Sequence, residues 1–224
     1  MYKNLNAHAL GVSGHQSEII ELALTYGFKG MDVDSEEIST RAKLHGMPYA
    51  RRLIDSAQIQ IGTFKLPLQW DIDDDLFKAG LENLRETAQV AADLGCTRCV
   101  ATIAPAGDKR PYHENFEFHR HRMADISGVL APLQIRLGIG FRACEELRKS
   151  QAFQFIHDFE ALTLLASMVG DENVGVVLDT WDLYVSGATA DVVRGLSARQ
   201  IVAVQLADVP VDAPPKDEIT ETSR

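Results

Sequence analysis

Asn173-Val174-Gly175-Val176-Val177-Leu178-Asp179-Thr180-Trp181-Asp182-Leu183-Tyr184 is the stretch on which the reading of the fold turns. Residues 174–178 are a short apolar run rich in β-branched side chains, the pattern of a strand buried on both faces in a parallel sheet covered by helices. Asp179 therefore stands at a C-terminal strand end, where an α/β barrel keeps its chemistry because the loops leaving the strands converge there. Asp182 follows three residues on, between Trp181 and Tyr184. Two carboxylates with two aromatics can ligate a metal and stack a small polar substrate. The competing assignment is that Asp179 only caps the next turn.

Outward from this stretch, strand and helix alternate along the chain. Strands are expected at 5–12, 30–34, 59–64, 99–103, 136–141, 174–178 and 201–206, with amphipathic helices between them, the longest following the polar break at 71–75. Gly27, Gly95 and Gly170 sit where helices should stop. Seven alternations without an internal repeat are the signature of a parallel α/β fold in a single domain, 1–224. A helix is also expected over 152–168. The loop 104–115, with Pro105, Gly107 and Pro111 among Asp108, Lys109 and Arg110, reads either as a substrate-side lid or as an inert surface excursion. His113, His119 and His121 lie close in sequence, but 119 and 121 face different ways on a helix, so a charged outer face is favoured over a metal site.

A barrel needs an eighth strand, and after Asp208 the chain offers Pro210, Pro214 and Pro215, which oppose regular pairing, and a short polar tail. The expectation is an eighth strand that is missing or irregular, through truncation or an open last seam.

Composition sets outer bounds. With 224 residues, 46% hydrophobic, the chain can bury one large core. A net charge of −10 and a pI near 5.1 give no basic face for nucleic acid. No apolar run approaches the roughly 18 residues that span a bilayer, and the N-terminus does not read as a signal peptide. The expected setting is the cytoplasm, with neither nucleic-acid nor membrane partners. Three cysteines suit a reducing compartment better than a disulfide framework. Cys96 and Cys99 lack the second pair that a zinc site requires.

The run Leu178-Asp179-Thr180-Trp181-Asp182-Leu183-Tyr184, followed by Val204-Gln205-Leu206-Ala207-Asp208-Val209-Pro210, resembles the sugar phosphate isomerase/epimerase family of the xylose-isomerase-like TIM barrels, and is similar also to their metal-dependent endonuclease relatives. The acidic charge lowers the weight of the endonuclease branch. The pattern can be followed from about Leu5 to the C-terminus, persuasive through its order and spacing. The resemblance implies a (β/α)8 barrel of the xylose-isomerase-like type and a divalent ion (Mg, Mn, Co or Zn) at the C-terminal mouth. That ion polarises a carbonyl while glutamates move a proton in aldose–ketose isomerisation or epimerisation. The substrate implied is a small-molecule sugar or sugar phosphate.

Carried over residue by residue, Asp179 matches the family's metal-binding aspartate, and Gln205 stands where many members have histidine. Asp182 likewise replaces a histidine. The fifth-strand motif is Leu137-Gly138-Ile139-Gly140-Phe141, so Gly140 takes the place of the family glutamate and offers no side chain. The eighth-strand glutamate would lie beyond Arg224. Metal ligands are therefore expected to be Asp179 and Gln205 only, and binding weak or absent, with Gly140→Glu expected to strengthen it. Substrate contacts are expected from His8, Lys65, Trp181 and Asp182. Lys109, Arg110 and Arg142 are further candidates for a phosphate or carboxylate. Glu145 and Glu146, in the loop after the fifth strand, are the remaining candidates to move a proton; the alternative is that they are helix-start surface residues.

Two functions follow from these expectations. One is a sugar or sugar-phosphate isomerase/epimerase-like protein working by metal-assisted proton transfer next to a carbonyl. The other is a catalytically degenerate barrel that binds a sugar-like ligand or a protein partner without turnover. Oligomeric state stays open, with a homodimer compatible.

Overall fold

A computed structural model of the protein describes residues 2–209, 211, 215–216 and 218–223. Its main sheet contains β1 (Asn4–Leu5), β2 (Gly30–Val33), β3 (Gln60–Lys65), β4 (Arg98–Thr102), β5 (Arg136–Gly140), β6 (Val174–Asp179) and β7 (Ile201–Gln205), lying in chain order. The registers of β1 with β2, β2 with β3, β5 with β6 and β6 with β7 are all parallel. Among the described residues no eighth strand joins this sheet. Pro210 and Pro214, which oppose one in the sequence, lie outside the described residues. Two compact units divide the chain, Met1–Cys99 with Val129–Ile135, and Val100–Gly128 with Arg136–Arg224.

The first unit carries β1 to β3 and the helices α1 (Gln16–Thr25), α2 (Ser35–His45), α3 (Met47–Ala57) and α4 (Asp74–Asp93). Here β1 is shorter than the expected strand over 5–12. The Asn6 side chain accepts the Ala9 amide at 3.0 Å, and His8–Leu10 turn into a 3-10 helix closed by Gly11 in the left-handed region. His8 is thereby exposed on a turn rather than placed at a strand end. Asp34 ends β2 by capping α2, its side chain accepting the Glu36 and Glu37 amides at 3.0 Å.

Asp32 sits where the β2–β3 register shifts. Its Oδ1 accepts the Thr63 amide at 2.8 Å and Asn4 Nδ2 at 2.7 Å, so the side chain satisfies a donor at the irregularity in the ladder. Asp32 is thus a half-buried, hydrogen-bonded carboxyl.

In the second unit α5 (Tyr112–Leu130) begins, and α6 (Phe159–Val169), α7 (Thr180–Val185) and α8 (Ala190–Arg194) follow. Two differences from expectation have one cause. Residues 106–107 pair antiparallel with 153–154, Asp108 Oδ1 accepts the Ala152 amide at 2.8 Å, and the helix expected from 152 starts only at Phe159, where Asp158 accepts the Ala161 amide. The loop 104–115 is thus pinned at its start by a ribbon. His119, expected on a charged outer face, is instead buried in α5 against Phe155, with Nδ1 2.8 Å from the Asn115 carbonyl.

β6 is buried along its whole length, as its apolar run requires. Gly138 and Gly175 are paired across β5 and β6, and both are small because of what lies over them. A Cβ on Gly138 would come within 2.9 Å of Val177 Cγ2, and one on Gly175 within 2.4 Å of the Gln200 carbonyl oxygen. Backbone cannot give way as a side-chain tip can, so the missing methyl at Gly175 fixes the approach of the chain entering β7.

Two outcomes are expected. Gly175→Ala should cost about 1–3 kcal/mol in urea denaturation, whereas Gly140→Ala, whose Cβ would meet nothing closer than 3.6 Å, should be far milder; equal losses would refute the close-approach argument. Burial holds the Asp32 carboxyl above its ordinary range, with the bonds from Asn4 and Thr63 working the other way. The folded chain therefore binds that proton more tightly than the unfolded chain, and stability should fall as pH rises from the ordinary carboxylate range through the raised folded value. Asp32→Asn keeps an oxygen for both donors and should flatten this part of the stability–pH profile; an unchanged profile would discount the effect.

Candidate functional site at the ends of β5 to β7

Each candidate side chain is placed by a local rule. Asp179 is the last residue of β6 and the N-cap of α7, its Oδ1 accepting the Trp181 amide at 3.0 Å. It is buried, and so is Asp182, one turn into α7. Both oxygens of Asp182 are engaged by the chain leaving β5: Oδ1 accepts the Ala143 amide at 2.9 Å, and Oδ2 the Arg142 Nη1 at 2.8 Å. The same Nη1 lies 3.8 Å from Asp179 Oδ2, and Arg142 Nε faces Glu221 Oε2 at 3.7 Å. One guanidinium therefore stands among three carboxylates, one on the strand end, one on the helix and one on the 3-10 turn Glu221–Ser223.

The electrostatics follow from burial. Loss of water works against the Arg142 charge, yet Asp182, Glu221 and Asp179 together hold its guanidinium above its ordinary value. Burial pushes the Asp182 carboxyl up, with the Ala143 amide and Arg142 opposing it. Beneath lies an apolar cluster of Cys144, Trp181 and Ile219, flanked by Val185, Ala207 and Val209. The Cys144 thiol is pushed up to about 11, first by burial and then by the neighbouring Glu221 carboxylate. Such a thiol is inert.

The structure brings some predicted residues together and not others. Gln205 is the register partner of Asp179 across β6 and β7 and is half-buried. Thr180 Oγ1 donates to the Ala207 carbonyl at 2.7 Å and accepts its amide at 2.9 Å, tying the chain after β7 to α7. Asp208 is exposed and accepts the adjacent Val209 amide. Trp181 is 0% exposed, a core side chain with no face free for stacking; the apolar cluster takes its ring. Glu146 is exposed, and its Oε2 accepts the Glu221 amide at 3.3 Å, while half-buried Glu145 lies 3.6 Å from Lys149. His8 and Lys65 are exposed residues of the first unit.

Glu221 escaped the sequence reading, because a tail glutamate carries no motif. Arg142 stood out only as one of several basic residues. Its signal was its setting, a lone cation between apolar Phe141 and Ala143 at a strand exit.

The divalent ion implied by the resemblance does not fit this donor set. Asp182 has no free oxygen, Asp179 has one engaged and the other turned to a cation, and Gly140 has none to give. Among the described residues no three His, Cys, Asp or Glu side chains converge as a metal cluster. A guanidinium at this position repels a divalent ion from the carboxylates it already balances.

Residues 20–218 match the family model described as xylose isomerase-like TIM barrel. Among solved structures, the chain is similar to a xylose isomerase domain protein from Alicyclobacillus acidocaldarius (21% identity, TM-score 0.88, covering 98% of this chain and 76% of that one). It is similar also to the IolI protein with a bound zinc atom (15%, TM-score 0.81, 100% and 78%). A third is D-psicose 3-epimerase in the presence of D-fructose (15%, TM-score 0.74, 96% and 77%). No curated protein matches the chain by sequence.

Removing Arg142 would leave Asp182 buried without its counter-charge. Arg142→Ala is expected to cost about 3–5 kcal/mol, and adding Asp182→Asn should recover a large part of the loss. Denaturation of both single variants and the double variant measures the coupling, and additive losses would show that the pair is not a unit.

Proposed function

The chain belongs to the xylose isomerase-like TIM barrel family, and from that premise we propose that it binds a sugar or sugar phosphate at the strand ends bearing Asp179, Asp182 and Arg142, without metal-assisted turnover. The observation that carries this reading is the Arg142–Asp182 pair at 2.8 Å. It commits to each other the charges that a metal-assisted proton transfer would use. The same groups suit polyol recognition, in which hydroxyls donate to carboxylates and accept from guanidinium N–H groups. Arg142 keeps 30% of its side chain exposed, and Gln205 adds an amide that both donates and accepts. The three cysteines are free and buried, which suits a cytoplasmic setting.

A second reading, an isomerase or epimerase using a glutamate as its base, is favoured by the place of Glu146. Its carboxylate reaches the Glu221 amide in the same cluster of side chains as Arg142.

Calorimetric titration with free sugars and sugar phosphates tests the first reading. Binding is expected, and Arg142→Lys, which removes the planar fork, should weaken it at least about tenfold, equivalent to ~1.4 kcal/mol. Failure of every sugar to bind would reject it. Solvent deuterium exchange next to the sugar carbonyl, followed by NMR, separates the readings: no exchange is expected, and exchange lost in Glu146→Gln would establish the second.

A further inference from the structure

We propose that Arg142 is an anion subsite which Glu221 fills from within the chain, so that a sugar carrying a carboxylate or a phosphate binds by taking the place of the Glu221 carboxylate. The inference rests on the reading of these strand ends as a sugar site and names the group by which the ligand is held. A guanidinium has five N–H donors arranged as a fork. Among the described residues the Arg142 side chain makes one hydrogen bond, from Nη1 to Asp182 at 2.8 Å, while 30% of it stays exposed. Its Nε faces Glu221 Oε2 at 3.7 Å, beyond hydrogen-bond distance.

The three carboxylates around this cation are not equivalent. Asp182 is 0% exposed with both oxygens bonded, and Asp179 caps α7 through the Trp181 amide, so neither can leave without opening the fold. Glu221 has no such duty. Its side chain is 31% exposed, its Oε2 falls short of a bond to Arg142, and its Oε1 is buried with no oxygen or nitrogen partner. The Cys144 thiol beside it is a weak donor. A carboxylate so placed has lost part of its water and gained little in return. An oxyanion approaching the fork at about 2.7–2.9 Å bonds it better, and Glu221 recovers water as it turns out. The backbone that bears Glu221 stays anchored meanwhile. Ile219 is packed against Cys144 and Trp181, Lys216 Nζ lies 4.3 Å from the centre of the Tyr184 ring, and the Glu221 amide donates to Glu146 at 3.3 Å.

Charge decides between exchange and simple addition. A ligand anion placed beside Arg142 with Glu221 still there would be the fourth negative group around one guanidinium, whereas exchange keeps the number at three. A phosphate or carboxylate therefore enters as Glu221 leaves, and the hydroxyls of a neutral sugar have no charge with which to displace it. The apparent affinity for an anion is then its intrinsic affinity scaled by the fraction of molecules whose fork is open.

The test follows the Arg142 Nε–H resonance by NMR, assigned through its loss in Arg142→Lys, while inorganic phosphate, glucuronate, glucose 6-phosphate and glucose are titrated at constant ionic strength. Phosphate and at least one of the two sugar anions should shift it, and Glu221→Gln should bind each of these at least about tenfold more tightly than the unmodified chain. Which of glucuronate and glucose 6-phosphate gains identifies carboxylate or phosphate as the preferred group. Affinity for glucose should change less than about twofold, since no charge is exchanged. Glu218→Gln makes the same change of charge at an exposed side chain of the same segment, and should leave every affinity within about twofold. A gain there equal to that of Glu221→Gln would mean a general effect of charge and overturn the inference. Equal anion affinities in Glu221→Gln and the unmodified chain, or no shift with any anion, would overturn it too. Glu221→Ala is the second variant, expected to gain as much as Glu221→Gln. Phosphate binding that gains tenfold while no sugar binds would reject the sugar reading and leave the anion subsite standing.

Discussion

A carboxylate with no exposure to water has to give up its charge or be given a partner, and Asp182 is in that position. Its partner comes from a different strand. Ala143 and Arg142, the residues by which the chain leaves β5, supply an amide and a guanidinium to a side chain on α7. The path out of β5 is thus fixed by a demand arising after β6. Because the guanidinium is then itself partly out of water, it draws Asp179 and Glu221 toward it, and through Glu221 the segment containing Ile219. Breaking such a pair is costly even where forming it gains little, since the charge left behind has nowhere to go.

The sheet beneath makes that geometry repeatable. β5 and β6 are in register through Gly138 and Gly175, which leave space for Val177 and Val202 and let the chain before β7 pass close by. β6 and β7 then bring Asp179 level with Gln205. Thr180, donating to and accepting from the same residue, Ala207, fixes the exit of β7 against the start of α7. The strand ends are held by backbone pairing, and the side chains beyond them by one another.

Much of this was legible in the residues. The unbroken apolar run at 174–178 announced a strand buried on both faces, and the alternation around it announced the parallel order. What remained hidden was local. The strand expected over 5–12 stops at Leu5 because a single side chain, Asn6, captures the amide of Ala9. The helix expected from 152 waits for Asp158 because residues 153–154 are taken by a ribbon with 106–107, a pairing between segments that periodicity cannot see. Trp181 reads as an aromatic beside a site, but whether an aromatic faces a ligand or a core depends on what packs against it, here Cys144 and Ile219, the latter from a tail with no motif. Arg142 was visible as a basic residue, and its role required the positions of three carboxylates from separate parts of the chain.

Asp179 carries a wider point about motif matching. At the end of a strand that runs straight into a helix, the first turn exposes amides, and an aspartate there satisfies one of them whatever else it does. Its Oδ1 accepts the Trp181 amide, so folding alone is reason enough for an aspartate at this position. The residue that most resembles a metal ligand is therefore the one whose presence says least about a metal. Gly140 has no such second duty to the helix. A glycine whose Cβ would fit is not required by packing. The departure at Gly140 is accordingly a better witness to the chemistry of this site than the agreement at Asp179, because local structure explains the agreement and does not require the glycine.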